Sequence, residues 1–403
     1  ELYCEDLKVA DVAKKYGTPL YLYSYESIKE NFLSLKNAFK EINPLICFSV
    51  KSNSNVNILR ELINLGAGLD IVSGGELFRA GKAGADMNKV VYAGVGKTEA
   101  EIIMALEKSI KLFNVESEPE LELINEIAKK LGKKANVCFR INPDVDPKTH
   151  KYITTGKKEN KFGLDFDLGI KLFKKADDFK SVKIKGIHLH IGSQIIEAKP
   201  FVDALNKAGE FIKKIRALGR DIEILNLGGG FGIVYKDEKP QSLDEIAKQM
   251  IPIIKEIKAK EVVFEPGRFI VGNAGVLITQ VQYVKTNGEK KFAIVDSAMN
   301  DLIRPSLYDA YHNIIAVDKN NDKCVYDIVG PICESGDIFA KDRELSCVNK
   351  GDFLAIMSAG AYGFSMSSNY NSRCRAAEVL VRDGKANVIR KREAYEDLIR
   401  AEL

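Results

Sequence analysis

Four stretches of this chain hold residue types that could do chemistry, and each follows or interrupts an apolar run. The first is Lys51. It closes the run Leu45-Ile46-Cys47-Phe48, which reads as a buried strand, and the small polar residues Ser52 and Asn53 follow it. An ammonium at the end of a buried strand is unfavourable unless it has a task. Against apolar walls its pKa falls, and the neutral amine can then attack a carbonyl to form a Schiff base. A surface lysine at a strand end is the plainer reading. The second stretch is Gly228-Gly229-Gly230. Successive backbone N–H groups without side chains can converge on the oxygens of an anion such as phosphate. The run departs from the dinucleotide pattern GxGxxG, because Ile233 stands where the third glycine is needed. It also reads as a flexible loop.

The third stretch is His188-Leu189-His190. Alternate residues of a strand face the same way, so both imidazoles share a face. Such a pair can bind a metal ion. The chain has only four histidines, however, and His150 and His312 follow no ligand spacing. The other reading makes one histidine a hydrogen-bonding core group and lets His190, nearer the strand end, pack flat against a ring. The fourth is Glu265, just before Pro266 and Gly267. A carboxylate there can pair with a cationic ring. A charge-assisted hydrogen bond contributes about 1.5–3 kcal/mol, or about one to two pKa units, enough to keep a pyridine nitrogen protonated near neutral pH. An ion pair with Arg268 or Lys51 is the structural alternative.

The elements that position these residues alternate regularly. Strand-like runs fall at 45–50, 68–72, 90–93, 112–115, 136–141, 184–190, 223–227 and 262–265. Helical patterns at 56–65, 75–83, 99–108, 118–131, 167–176, 201–218 and 243–257 lie between them. Eight strands alternating with helices over about 220 residues predict an α/β fold, a (β/α)8 TIM-type barrel rather than a doubly wound sheet. In such a barrel the chemistry sits at the carboxyl ends of the strands. Lys51, the segments 73–76, 140–143 and 188–194, the glycine run and 265–268 all fall there. After Gly267 the pattern changes to strand candidates at 272–285, 291–296, 323–329, 352–357, 376–382 and 386–390, with turns at Asn287-Gly288 and Asp383-Gly384. The expected division is a barrel over 21–267 and a second, mostly β domain over 268–403, joined by 1–20.

At 403 residues two domains are the natural expectation. Hydrophobic residues at 45% and charged residues at 29% describe a soluble globular chain. The net charge of +4 is small and dispersed, which argues against nucleic acid. The opening residues Glu1 to Asp6 do not read as a signal peptide, and no apolar run approaches membrane-spanning length. Seven cysteines, none in a CxxC pair, read as free thiols of a reducing, cytoplasmic compartment rather than as a disulfide frame or zinc site.

A lysine after the first strand, His190-Ile191-Gly192-Ser193-Gln194, Gly228-Gly229-Gly230-Phe231-Gly232 and Glu265-Pro266-Gly267-Arg268, in this order, resemble the fold-type III pyridoxal-phosphate decarboxylases, whose fold is alanine racemase-like. Arg304-Pro305-Ser306-Leu307-Tyr308, Cys333-Glu334-Ser335-Gly336-Asp337 and Gly360-Ala361-Tyr362-Gly363 resemble the branch of that family acting on diaminopimelate. The likeness spans almost the whole chain. Val50 and Ser52 depart from the alanines that often flank the lysine, and both are small.

The resemblance implies pyridoxal 5'-phosphate held covalently by Lys51, with Ser193, the loop Gly228 to Gly230, Pro266, Gly267, Arg268 and Tyr362 around it. It implies His190 stacked on the ring and Glu265 on the ring nitrogen. Arg268, Arg304 and Tyr308 would clamp the distal carboxylate of meso-diaminopimelate, with Tyr362 beside them and Glu334 on the distal ammonium. Cys333 would be the general acid. In the family Cys333 and Glu334 come from the partner subunit, which implies a homodimer with shared sites. No metal is implied. Relatives acting on ornithine, arginine or carboxynorspermidine tend to carry Cys-Asp-x-x-Asp, whereas this chain has Cys333-Glu334-Ser335-Gly336-Asp337. From other classes, a non-catalytic pyridoxal-phosphate carrier resembles the barrel alone, and a metal-dependent barrel hydrolase would use the histidine pair. The stretch 144–162 raises the question of a lid.

Overall fold

The computed structural model of the protein describes residues 1–145, 161–318 and 321–403. Most of the stretch 144–162 therefore lies outside the described residues. Eight parallel strands close into a barrel: β1 Leu45–Ser49, β2 Gly68–Ile71, β3 Val90–Tyr92, β4 Leu112–Val115, β5 Ala135–Arg140, β6 Val182–His188, β7 Ile224–Asn226 and β8 Glu261–Phe264. Closure is made by β8 on β1, with Val263 opposite Leu45 and Phe264 opposite Ile46. The helices between them begin where their capping residues sit. Ser73, Thr98, Ser117 and Ser242 each accept a backbone N–H of the first turn, and Thr98 and Ser242 complete reciprocal boxes with Glu101 and Glu245.

The barrel interior is layered by the two-residue period of its strands. Cys47, Val91, Leu112, Cys138, Ile224 and Val263 pack together as an apolar floor. Two residues further along, the same strands carry Ser49, Asn114, Arg140, Asn226 and Glu265, and Asp70 and His188 follow Gly68 and Gly186 by the same step. All seven of these polar groups are buried. The glycine in β6 is required by close approach: a Cβ on Gly186 would lie 1.8 Å from the carbonyl oxygen of Ile224.

The compact unit holding the barrel is 32–232 with 239–269. The second unit comprises 1–31, 233–238 and 270–403. Its sheet runs, in order, Ile338–Ser346, Lys323–Val329, Lys290–Val295, Gly275–Asn287, Leu20–Ser24, Ala377–Arg382 and Lys385–Arg390, with Ile314–Ala316 and Phe353–Ile356 paired off this path. The strand Leu20–Ser24 lies between Gly275–Asn287 and Ala377–Arg382. The second unit thus takes more of the amino-terminal segment than a boundary at residue 21 allows. Physical cause is visible in its tyrosines: Tyr21 and Tyr23 are buried, and their hydroxyls donate to Asp301 O at 2.6 Å and to Glu378 Oε1 at 2.8 Å.

A strand and the cysteines depart from the sequence expectation in ways that have a physical cause. Ile338–Ser346 is a strand although it carries the run Lys341-Asp342-Arg343-Glu344; it is the outermost of its sheet, where charge is tolerated and discourages further pairing. The seven cysteines are not all free: Cys324 and Cys347 are joined, with Cα atoms 5.0 Å apart. Their hairpin is antiparallel with Lys323 opposite Ser346, and Cys347 N–H donates to Asp322 O, so the register itself brings the two sulfurs together. Cys4, Cys47, Cys138, Cys333 and Cys374 remain thiols. Among the described residues no helix is long and apolar enough to cross a membrane.

Because the Gly186 contact is with backbone, it cannot relax by turning a side chain. Gly186→Ala should lower the free energy of unfolding by about 3 kcal/mol. A denaturant midpoint equal to that of the wild type would show that β6 and β7 have room to separate.

Candidate active site

Lys51 lies in the one-turn 3-10 segment Val50–Ser52 that ends β1. Its Nζ donates to Asp70 Oδ2 at 2.8 Å, and the same oxygen accepts Ser49 Oγ–H at 2.7 Å. Burial pushes the Asp70 carboxyl up, Lys51 opposes this, and the charge of Glu265 adds to the rise. Ser49 also anchors the end of β8: its N–H donates to Pro266 O at 3.0 Å, and its Oγ lies 2.8 Å from Glu265 O, so the one hydroxyl proton is shared between that carbonyl and Asp70 Oδ2. Gly267 fits against this turn, since a Cβ there would meet Ser52 Oγ at 2.9 Å.

Glu265 is 4% exposed and accepts three side-chain N–H groups from three other strands. Asn114 Nδ2 and Asn226 Nδ2 donate to Oε1 at 2.9 and 2.6 Å, and His188 Nε2 meets Oε2 at 3.0 Å. Burial alone would raise this carboxyl. The charge and hydrogen bond of His188, the charge of Lys51 and the bond from Asn226 outweigh it and hold the group well below the usual carboxylate range. The sequence alternative of a bridge from Glu265 to Lys51 or Arg268 is not what forms. Lys51 is on Asp70, and Arg268 donates to Ser193 Oγ from Nε at 3.3 Å and Nη2 at 3.0 Å.

His190 accepts Gly229 N–H on Nδ1 at 3.2 Å, so its remaining ring proton is on Nε2 and the imidazole is neutral. Burial first, then the positive charges of Arg140 and Lys51, keep it well below the ordinary histidine value. Gly228 has φ +63°, and a Cβ on it would meet Leu189 O at 2.4 Å and His190 Nδ1 at 2.7 Å, so only glycine fits. Its N–H donates to Asn226 Oδ1 at 3.0 Å. Two of the three glycine N–H groups are therefore committed inside the protein. That of Gly230 makes no such bond among the described residues.

The rim of the barrel thus brings together Lys51, His190, Ser193, Gly228, Gly229, Gly230, Glu265, Pro266, Gly267 and Arg268. The other candidates belong to the second unit and are described within it. Arg304 is 7% exposed at the start of the helix Arg304–Tyr308; its Nη1 donates to His312 Nε2 at 2.9 Å and its guanidinium covers the Tyr235 ring at 4.9 Å. His312 Nδ1 donates to Met357 O at 2.8 Å, which fixes the accepting tautomer. The same helix carries Tyr308, and Ser306 Oγ donates to Gly336 O at 2.6 Å in the loop of Cys333 and Glu334. Those two side chains are exposed, and Tyr370 OH donates to Glu334 Oε2 at 2.8 Å. Asp337 is buried and holds that loop by accepting Met299 N–H and Ile332 N–H. Tyr362 adopts φ +57° in its glycine-flanked turn.

Sequence reasoning missed Asp70, Asn114, Asn226, Tyr370 and the service of His312 to Arg304. A carboxylate inside the apolar run of β2 was the available signal for Asp70. For the two asparagines it was an amide two residues after Leu112 and Ile224, on the inward face. Among the described residues no group of His, Cys, Asp and Glu side chains has the arrangement to hold a metal ion.

Comparison with known proteins bears on this constellation. The model of the family "Pyridoxal-dependent decarboxylase, pyridoxal binding domain" matches residues 25–272. A diaminopimelate decarboxylase of Aquifex aeolicus is 51% identical over 408 residues, covering 100% of this chain and 96% of that relative. One from Vibrio cholerae is 47% identical, covering 99% and 95%. Among solved structures, diaminopimelate decarboxylase from Helicobacter pylori complexed with L-lysine superposes with a TM-score of 0.94 at 44% identity, covering 98% of each chain.

Glu76, on the helix after β2, accepts Val72 N–H at 2.8 Å, and burial pushes its carboxyl up to about 7 from an ordinary 4.5. The folded protein therefore holds this proton more tightly than the unfolded chain. That contribution is full below pH 4.5 and is lost as the pH rises to about 7. Glu76→Gln should remove the loss, gaining about 2 kcal/mol on the wild type across this window. Parallel stability-against-pH curves for the two proteins would mean the carboxyl titrates normally.

Proposed function

The chain belongs to the pyridoxal-dependent decarboxylases, and from that footing we propose that it decarboxylates meso-2,6-diaminopimelate to L-lysine and carbon dioxide, the last step of lysine biosynthesis. One observation carries the reading: Lys51 and Glu265, from the first and last strands of the barrel, are held on one rim with His190 and the glycine loop. The residues fit pyridoxal 5'-phosphate. Oε1 of Glu265 is filled by two donors, while Oε2 has one and can take an N–H from a ring. Gly230 N–H, Ser193 Oγ–H and Arg268 supply donors for a phosphate. When bound, the cofactor supplies an electron sink for the pair left as carbon dioxide departs.

The chain's own residues do the rest. Lys51 is the amine that would hold the cofactor, and Asp70, 2.8 Å from its Nζ, fixes where that amine lies. Neutral His190 offers a flat, uncharged face for stacking. Glu265, held ionised, keeps the ring nitrogen protonated. Arg304, oriented by His312 and Tyr235, grips the distal carboxylate with Arg268 and Tyr308, a group that ornithine and arginine lack. Glu334, steadied by Tyr370, takes the distal ammonium, and Tyr362 serves the phosphate side. Cys333 is the acid that returns a proton to the substrate carbon. Its exposure and that of Glu334 on the single chain support a homodimer in which each subunit lends this pair to its partner. We place the enzyme in the cytoplasm with the biosynthetic step it serves; the Cys324–Cys347 bond belongs to the minority of intracellular disulfides.

The direct test is carbon dioxide release measured across meso-diaminopimelate, lysine, ornithine and arginine, with release confined to the first expected. Lys51→Ala should abolish the near-visible absorbance of the bound cofactor and reduce turnover at least about 1,000-fold. A yellow, active Lys51→Ala protein would remove this lysine from the mechanism.

Subunit sharing predicts complementation. Lys51→Ala and Cys333→Ala proteins should each be nearly inactive alone. In a mixed dimer one site carries both lesions and the other neither. Random exchange makes about half the dimers mixed, so roughly a quarter of all sites should recover in a C2 dimer. If mass measurement confirms exchange and no activity returns, Cys333 is not an acid donated across the interface.

A further inference from the structure

We propose that His188 is a positioning residue for Glu265: by donating Nε2–H to Oε2, the oxygen with room for the ring N–H, it keeps the carboxyl ionised and so leaves the shared proton on the cofactor nitrogen. This rests on the reading of Glu265 given above.

Asn114 from β4 and Asn226 from β7 both donate to Oε1, which fills its two lone pairs. Oε2 accepts from His188 at 3.0 Å and has one lone pair left. An ionised carboxylate accepts and does not donate, so the contact requires the proton on His188 Nε2.

The other ring nitrogen separates His188 from an ordinary core histidine. Nδ1 is buried and has no hydrogen-bond partner among the described residues, and the whole residue is 1% exposed. Buried imidazoles are normally satisfied at both nitrogens. Here one polar contact orients the ring, and that contact is Glu265. The nearest aromatic neighbour, His190, lies 6.5 Å away between ring centroids. His190 has a different partner, the N–H of Gly229.

The chemistry follows from relative basicity. A carboxylate buried 4% exposed and left alone would be a strong base, and a proton between it and a pyridine nitrogen would move toward the oxygen. The ring would then carry less positive charge. N–H donors stabilise the charged carboxylate and reverse this preference. Lys51 also acts on Glu265, but by charge alone; its bond is to Asp70. Arg140 is likewise occupied elsewhere, with Nη1 on Glu116 Oε1 at 3.0 Å. His188 is the donor that shares the working oxygen.

The test reads the ring nitrogen itself. Holoenzyme is prepared with pyridoxal phosphate labelled with nitrogen-15 in the ring, and the chemical shift separates a protonated from a neutral ring nitrogen. The variants are His188→Leu, which removes the donor, His188→Asn, whose amide reaches only as far as Nδ1, and His188→Gln, whose amide reaches the position of Nε2. Leu and Asn should move the signal toward neutral pyridine and lower kcat about 10-fold or more, while Gln keeps both near wild type. Should His188→Leu fail to fold, the Asn and Gln pair gives the same comparison. Thermal unfolding of each variant is recorded alongside, because a merely structural histidine would shift stability and leave the nitrogen signal unchanged. Glu265→Gln is the control for the underlying reading: if it leaves the nitrogen signal in place, Glu265 does not meet the ring and that reading fails. If Glu265→Gln moves the signal and neither His188→Leu nor His188→Asn does, the role assigned to His188 is overturned on its own.

Discussion

Closing eight parallel strands into a barrel leaves an interior filled by side chains, so a polar group placed there must find its partner on another strand. The upper inward layer of this protein is built under that constraint. Asn114, Asn226 and His188 reach Glu265, and Ser49 and Lys51 reach Asp70. Register fixes these meetings before any side chain chooses a rotamer: Arg140 lies opposite His188, His188 opposite Asn226, and Asn226 opposite Val263, two residues before Glu265. A slip of one residue on any of these strands would turn its polar group out of the barrel and bring an outward-facing side chain in. The apolar floor of Cys47, Val91, Leu112, Cys138, Ile224 and Val263 therefore protects the site indirectly, by making such a slip unfavourable.

The second unit solves a different problem, the orientation of long charged side chains. Arg304 has many rotamers in isolation. Here the His312 imidazole accepts from one of its nitrogens while Tyr235 lies against its face, which fixes the plane of the guanidinium. His312 is itself fixed by Met357 O. A planar fork held this way suits a carboxylate, which it can meet with two parallel N–H bonds. Glu334 is steadied more lightly, by the Tyr370 hydroxyl at the surface.

Much of this was legible in the sequence, and for a reason. Parallel barrel strands are short apolar runs with turn residues at fixed places, and the helices between them announce themselves by capping residues such as Thr98 and Ser242. Lys51, His190 and Glu265 stood out because a charged or titratable residue ends an apolar run. Asp70, Asn114 and Asn226 did not, because their partners are 151 and 39 residues away for the asparagines and 21 and 19 for Ser49 and Lys51 with Asp70. No local pattern records such a pairing. The strand Ile338–Ser346 was hidden by the charge run that its edge position permits, and with it the register that joins Cys324 to Cys347. The glycine run was read as three donors; the structure commits the N–H groups of Gly228 and Gly229 to Asn226 and His190.

Two of the carboxyls buried in the barrel mouth, Asp70 and Glu265, have environments that drive them in opposite directions. Asp70 is raised, first by loss of water and further by the negative charge of Glu265. Glu265 is lowered, because the charge and hydrogen bond of His188, the charge of Lys51 and the bond from Asn226 more than offset the same loss of water. Such divergence assigns roles where type and burial alike do not. Asp70 meets the Lys51 ammonium at 2.8 Å, and the pair they form fixes the position of that nitrogen. A lowered carboxylate cannot usefully take a proton and serves instead as a fixed negative charge, which is what a protonated ring nitrogen needs. With Lys51 paired to Asp70, the hydrogen bonds on Glu265 come from its cage of Asn114, Asn226 and His188, one donor from each of three strands.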